Sequence, residues 1–233
     1  MDHRTRKFDW PPVFWWLFVF HSGSLHSATC EELPKPSITF KRLEEKLSFN
    51  HSYSYQSLTN IGFSTNSPGK WILGLTRGNA SAGFSLGAPI IIDPTGRWEC
   101  LSPQINITFG FSPVTVYVAK EFPEGTCAHK EILEHEMRHA KTYQEHIVQI
   151  EKELQQTLTA RFSTDTPWRG PRGQLTGKIN QELEERWLPY IQRTIKRVDE
   201  AQKQIDTEEE YERISNACDG EVKKVIARRK GPR

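Results

Sequence analysis

The run Cys127-Ala128-His129-Lys130-Glu131-Ile132-Leu133-Glu134-His135-Glu136-Met137-Arg138-His139-Ala140 divides the chain into two textures. Before it, short clusters of β-branched and aromatic residues are punctuated by Gly, Pro, Asn and Ser, the pattern of strands and turns. After it, apolar residues recur at helical spacing, with Glu, Lys, Gln and Arg filling the gaps. The run itself opens a helix expected over 128–160, whose apolar stripe is Ile132, Tyr143, Ile147, Ile150 and Leu154. Glu136 falls in the middle of that stripe and His139 beside it. An acid on the buried face is costly unless it is paired or working.

Working outward from the run, the first half offers strand-like segments at 37–40, 71–75, 89–92, 104–109 and 114–118. The second half offers two more helices, over about 175–205 and 207–228, separated from the first by the Pro- and Gly-rich loop 164–173. Thr207 is placed to cap the last helix, with Glu210 three residues on. The expectation is an α+β fold in which an antiparallel β-rich half, 30–127, packs on a bundle of three long helices within 128–228. Together they form a single domain, 30–233.

Composition limits the partners. With 31 Lys and Arg against 29 Asp and Glu, the net charge of +2 supplies no basic face for nucleic acid. No run approaches the roughly 18 apolar residues of a membrane span. Residues 1–29 have the form of an export signal: Arg4, Arg6 and Lys7 precede the short apolar core Val13–Phe20, and small residues follow. The expected destination is secreted or periplasmic. Four cysteines, an even number, suit that oxidising route. Three pairings are open. If 104–109 and 114–118 form a hairpin about Ser112-Pro113, Cys100 meets Cys127 across its open end, leaving Cys30 for Cys218.

The chemistry is concentrated in His135-Glu136-Met137-Arg138-His139, an HExxH pattern. Two histidines four apart lie about 40° apart on one helical face, so both imidazoles reach one zinc ion. Glu136 stands next to them, where its carboxylate can take a proton from metal-bound water. His146 shares the face but lies about 10 Å along the axis, too far to join the same ion. His129 reads as a first-turn residue. The third ligand must come from the return of the later helices, with Glu208 and Glu210 as candidates. Tyr211 and Tyr143 are candidate donors to an oxyanion.

The stretch 127–139, with the later Tyr211-Glu212-Arg213-Ile214-Ser215-Asn216-Ala217-Cys218, resembles an uncharacterised bacterial family of predicted secreted zinc-dependent proteases of zincin type. The resemblance spans roughly 35–220, and only the HExxH block in it is specific. It implies His135 and His139 as Zn2+ ligands, Glu136 as the general base, and a peptide or protein substrate. It also implies an extended peptide lying along a sheet edge before the active helix, a role for which 114–118 is placed in sequence. Two other classes remain open: an exported envelope-associated binding protein that keeps the scaffold without turnover, and an interaction module built from the long helices.

Overall fold

The computed structural model describes residues 29–43, 46–62 and 71–229, so the expected export signal, 1–29, lies outside the described residues except for Thr29. The fold is a mixture of helix and sheet organised about one long strand. Its elements are β1 (Ser37–Leu43), β2 (Ser48–Asn50), α1 (Tyr55–Gly62), β3 (Gly74–Gly87), β4 (Ile90–Ile92), β5 (Trp98–Leu101) and β6 (Gln104–Val118). They continue with α2 (Cys127–Phe162), β7 (Trp168–Pro171), α3 (Leu175–Glu182), α4 (Leu188–Lys196), α5 (Val198–Lys203) and α6 (Glu208–Arg229).

β6 is the spine. β3 pairs antiparallel along its whole length, from Gly74↔Val118 to Gly87↔Gln104, with a register shift between Gly78 and Ala80. β1 and β2 pair parallel to successive stretches of β6, opposite residues 104–110 and 115–117. The sheet is therefore mixed where an antiparallel one was expected. The supposed hairpin does not form, because residues 104–109 and 114–118 belong to one strand that includes Ser112 and Pro113. With both sides of β6 occupied, 114–118 is central, and the edge assigned to it belongs to β3. Along β3, Ala82, Phe84 and Leu86 pack on the core while the residues between them are small or polar. That run carries little strand propensity of its own, and pairing with β6 imposes the conformation.

The disulfides follow this topology. Cys30 bonds Cys100, and Cys127 bonds Cys218. Cys100 could meet Cys127 only across a hairpin. Instead it sits on β5, in a separate antiparallel sheet of order β4-β5-β7, and Cys30 is bonded to it there.

α2 begins at the Thr126 cap, whose hydroxyl accepts from the His129 amide at 3.2 Å, and it continues for 36 residues. The second expected helix is broken into α3, a π turn at Leu183–Trp187, α4 and α5. α6 is interrupted by non-helical backbone at Ala217–Gly220, and the Cys127–Cys218 bond fastens that break to the start of α2. Two cores result. One joins Ile105, Ile107 and Phe109 of β6 to Ile150, Leu154 and Leu158 of α2 and to Ile179, Ile191 and Ile195 behind them. The other joins Tyr55, Leu58, Val118 and Phe122 to Ala128 and Ile132 of α2 and to Ile214 and Val222 of α6. Between Ile132 and Ile147, α2 crosses the seam between the two, and the HExxH turn lies there.

Candidate metal centre

Continuous helix brings His135 and His139 onto one face, and the chain reversal between α5 and α6 lays Asp206 against them. His135 Nε2 and His139 Nε2 are 3.1 Å apart, and Asp206 Oδ1 is 3.2 Å from each. Three donors each bound at about 2.0–2.1 Å to a tetrahedral zinc ion lie about 3.3 Å apart. The triangle therefore fits such an ion, and the donor set of two imidazoles and a carboxylate suits it. Glu208 and Glu210, expected as third ligands, do other things. Glu208 lines the adjoining cleft. Glu210 Oε1 lies 3.3 Å from Nδ1 of His135, on the far side of the ring, and is itself clamped by Arg138 and by Arg213 at 2.9 Å.

Those outer contacts set the tautomer of His139. His139 Nδ1 lies 2.6 Å from Gln202 Oε1, while Gln202 Nε2 donates to the His139 carbonyl at 3.1 Å, which fixes the amide orientation and makes Nδ1 the donor. Its Nε2 lone pair then points into the triangle. Glu210 offers Nδ1 of His135 the same acceptor, although Arg138 also approaches that nitrogen at 3.1 Å. The His139 lone pair and the Asp206 carboxylate thus converge on one point, and His135 Nε2 adds a third where Glu210 rather than Arg138 takes its Nδ1. The electrostatics agree. Burial pushes the Asp206 carboxyl up, but its bonds to His135 and His139 overcome that and hold it well below the usual carboxylate range. Burial lowers His139, and Asp206, Glu136 and Gln202 together reverse this and raise it. Arg213, against opposing burial and helped by Arg138 and His135, brings Glu210 down to about 2.

Glu136 lines the same cleft with its side chain laid against β3. It is 4% exposed, and the Thr76 hydroxyl of β3 lies 2.8 Å from its Oε2 and 3.0 Å from its carbonyl oxygen. Burial raises its pKa, and the nearby His139, His135 and Thr76 reduce that rise without cancelling it. Gly74 makes the fit possible: a Cβ there would stand 2.6 Å from both Cγ and Oε1 of Glu136. Tyr211 hydrogen-bonds to Asp206, and burial together with that carboxylate raises its pKa, so it stays a neutral donor beside the cage. Tyr143 lines the cleft but is engaged elsewhere. Its hydroxyl is bonded to the Gly78 backbone and its ring packs edge-on against Phe111 at 4.6 Å.

The remaining histidines of the cluster separate as expected for His146, which is half-buried with Nε2 3.4 Å from the Thr194 carbonyl. His129 is more than a first-turn residue. It is buried and stacks on His51 at 5.2 Å, and burial lowers its pKa.

A cleft of about 820 Å3 opens onto the triangle. Residues 71–76, from just before β3 into its first turns of strand, run along it with α2, α5 and α6. Sequence reasoning placed the turn before α6 beside His135 but looked for the ligand among the helical acids. Asp206, the acid in the turn, was legible only as the residue before the Thr207 cap. No family model matches the chain, and neither a curated protein nor a solved structure is detectably similar to it.

Proposed function

We propose that the protein is an exported zinc-dependent peptidase that cleaves peptide bonds with metal-activated water. The observation that carries this reading is the equal-sided triangle of His135, His139 and Asp206 with a buried, proton-hungry Glu136 beside it. A zinc ion held by these residues supplies a Lewis acid and a water whose pKa falls toward 7. The chain's own groups do the rest. Glu136, seated between Gly74 and Thr76, accepts a proton and returns it to the leaving amine. Its raised pKa brings it closer to the working pH than an ordinary carboxylate. Gln202 and Glu210 hold the two rings in register, and Tyr211 keeps a hydroxyl at the cage, where it can turn to a developing oxyanion.

An extended peptide has a place to lie. β3 pairs only with β6 among the described strands, and its first residues border the cleft, so its outer edge takes the substrate-binding role expected of 114–118. Two disulfides fit an oxidising compartment. No helix among the described residues is long and apolar enough to cross a membrane.

The test compares casein and peptide-library cleavage by zinc-loaded wild type and Glu136→Gln. Cleavage by wild type alone, with zinc retained in both, is the expected result. Equal cleavage by both assigns the activity to a contaminant. Zinc binding with no cleavage of any substrate favours the non-catalytic binding protein.

A further inference from the structure

The cleft is asymmetric along α2. One turn before the cage stands Ile132, and one turn after it Tyr143. On the Ile132 side the walls are Trp71, Leu73, Ile214, Val222 and Ile226, contributed by the approach to β3 and by both halves of α6. Ile132, Ile214 and Val222 are themselves part of the second core, so this end has a rigid floor, while Trp71, Leu73 and Ile226 are only partly buried and present apolar surface to the opening. On the His139 side the lining is Asp199, Gln202 and Lys203 of α5. Lys223 and Asn216 also border the apolar end, but the lysine ammonium is bonded to Asn216 Oδ1 at 2.5 Å. The break at Ala217–Gly220, tied to Cys127, lets both halves of α6 face the same space.

We propose that this end of the cleft is a specificity pocket for a bulky aliphatic or aromatic side chain at one fixed position beside the cut bond. This rests on the peptidase reading above. Substrates are then peptides with Leu, Ile, Met or Phe at that position, and charged or very small residues there are rejected. Burying such a side chain is worth about 10- to 100-fold in selectivity.

Two arms test the pocket separately from the chemistry. In the first, zinc-loaded full-length protein cuts a peptide library and the cut sites are read by mass spectrometry. The expected profile is a 10- to 100-fold preference for large apolar residues at one position, lost in Ile226→Asp and moved toward Phe over Leu in Leu73→Ala. In the second arm, N-acetyl-leucine amide and N-acetyl-lysine amide are titrated into the metal-free protein by NMR. The leucine amide alone is expected to shift the methyl signals of Leu73, Ile214 and Ile226. Cleavage without apolar preference overturns the pocket and leaves the peptidase reading intact. Selective leucine-amide binding without any cleavage shows an apolar binding pocket here but overturns the peptidase reading and, with it, the pocket's place beside a cut bond. Equal binding of both amides, or shifts elsewhere, overturns the pocket.

Discussion

Two glutamates in this protein are equally shut off from water, Glu99 and Glu136 each being 4% exposed, yet their surroundings treat the charge in opposite ways. Glu99, on β5 of the small sheet, accepts from the amides of Gly173 at 2.7 Å, Gln174 at 3.1 Å and Leu175 at 2.9 Å, at the start of α3. Burial pushes it up, but those three amides and Arg172 outweigh the penalty and its pKa falls. Glu136 has one hydroxyl and two imidazoles near it, and burial wins. The first is a carboxylate fully supplied with donors, fixing a helix start to a sheet. The second is left short of donors at the wall of a cleft. The contrast teaches that burial alone does not mark a working acid. On the proposed reading, what marks one is burial without full hydrogen-bond compensation, next to groups that can use its proton.

Neutralising each acid sharpens the comparison most. Glu136→Gln is expected to lower peptide cleavage about a thousandfold, the middle of the range for losing a general base. Its thermal stability is expected to be unchanged or slightly raised, since the amide keeps the Thr76 contact and sheds the buried charge. Turnover assays and calorimetry on the same preparation check both. Gly74→Ala tests placement without touching the acid. The added methyl must displace Glu136, and a shift near 1 Å is expected to cost about a hundredfold in activity with metal content retained.

Glu99→Gln is expected to behave in the reverse manner. Its amide nitrogen would face a backbone N–H that now has an acceptor, costing about 2 kcal/mol. That corresponds to roughly 4–8 °C in melting temperature, with activity per folded molecule unchanged. The smallest effect is on pH dependence in the metal-free protein. Glu99, lowered from 4.5, contributes stability above that pH which is lost as pH falls through its folded value. Glu136, raised from 4.5, contributes stability below that pH which is lost as pH rises through its folded value. The difference between wild type and each Gln variant should therefore slope in opposite directions, by at most about 1.4 kcal/mol per pH unit. Parallel slopes would erase the distinction between the two acids.

How much of this was legible from sequence depends on whether the signal is local. The stripe of α2 is local, and the burial of Ile132, Glu136, Ile147, Ile150 and Leu154 follows it. So are the residue types of HExxH. The disulfide pairs are not local: they depend on Cys100 belonging to the small sheet, which nothing near Cys100 announces. β3 was missed past Leu75 because its Gly, Ala and Ser residues acquire strand geometry from β6. The hairpin expected at Ser112-Pro113 failed for a related reason, since β6 is paired on both sides before it, up to Gly110, and again after it, from Thr115, so the two runs are held in one strand. Asp206 was missed because an acid in a turn has no periodicity to betray it, and only the folded return of α5 to α6 brings it to His135 and His139.

The central claim is that His135, His139 and Asp206 hold one zinc ion. Purified full-length protein equilibrated with zinc, dialysed and analysed for metal content, with affinity measured by chelator competition, tests it most directly. The account predicts one zinc per chain, lost in His139→Ala and bound at least about a hundredfold more weakly in Asp206→Ala. Glu210→Gln is expected to keep the stoichiometry and lose about tenfold in affinity, as for a residue that orients a ligand. A chain that binds no zinc, or one that still holds a full equivalent after all three residues are changed to alanine, would contradict it.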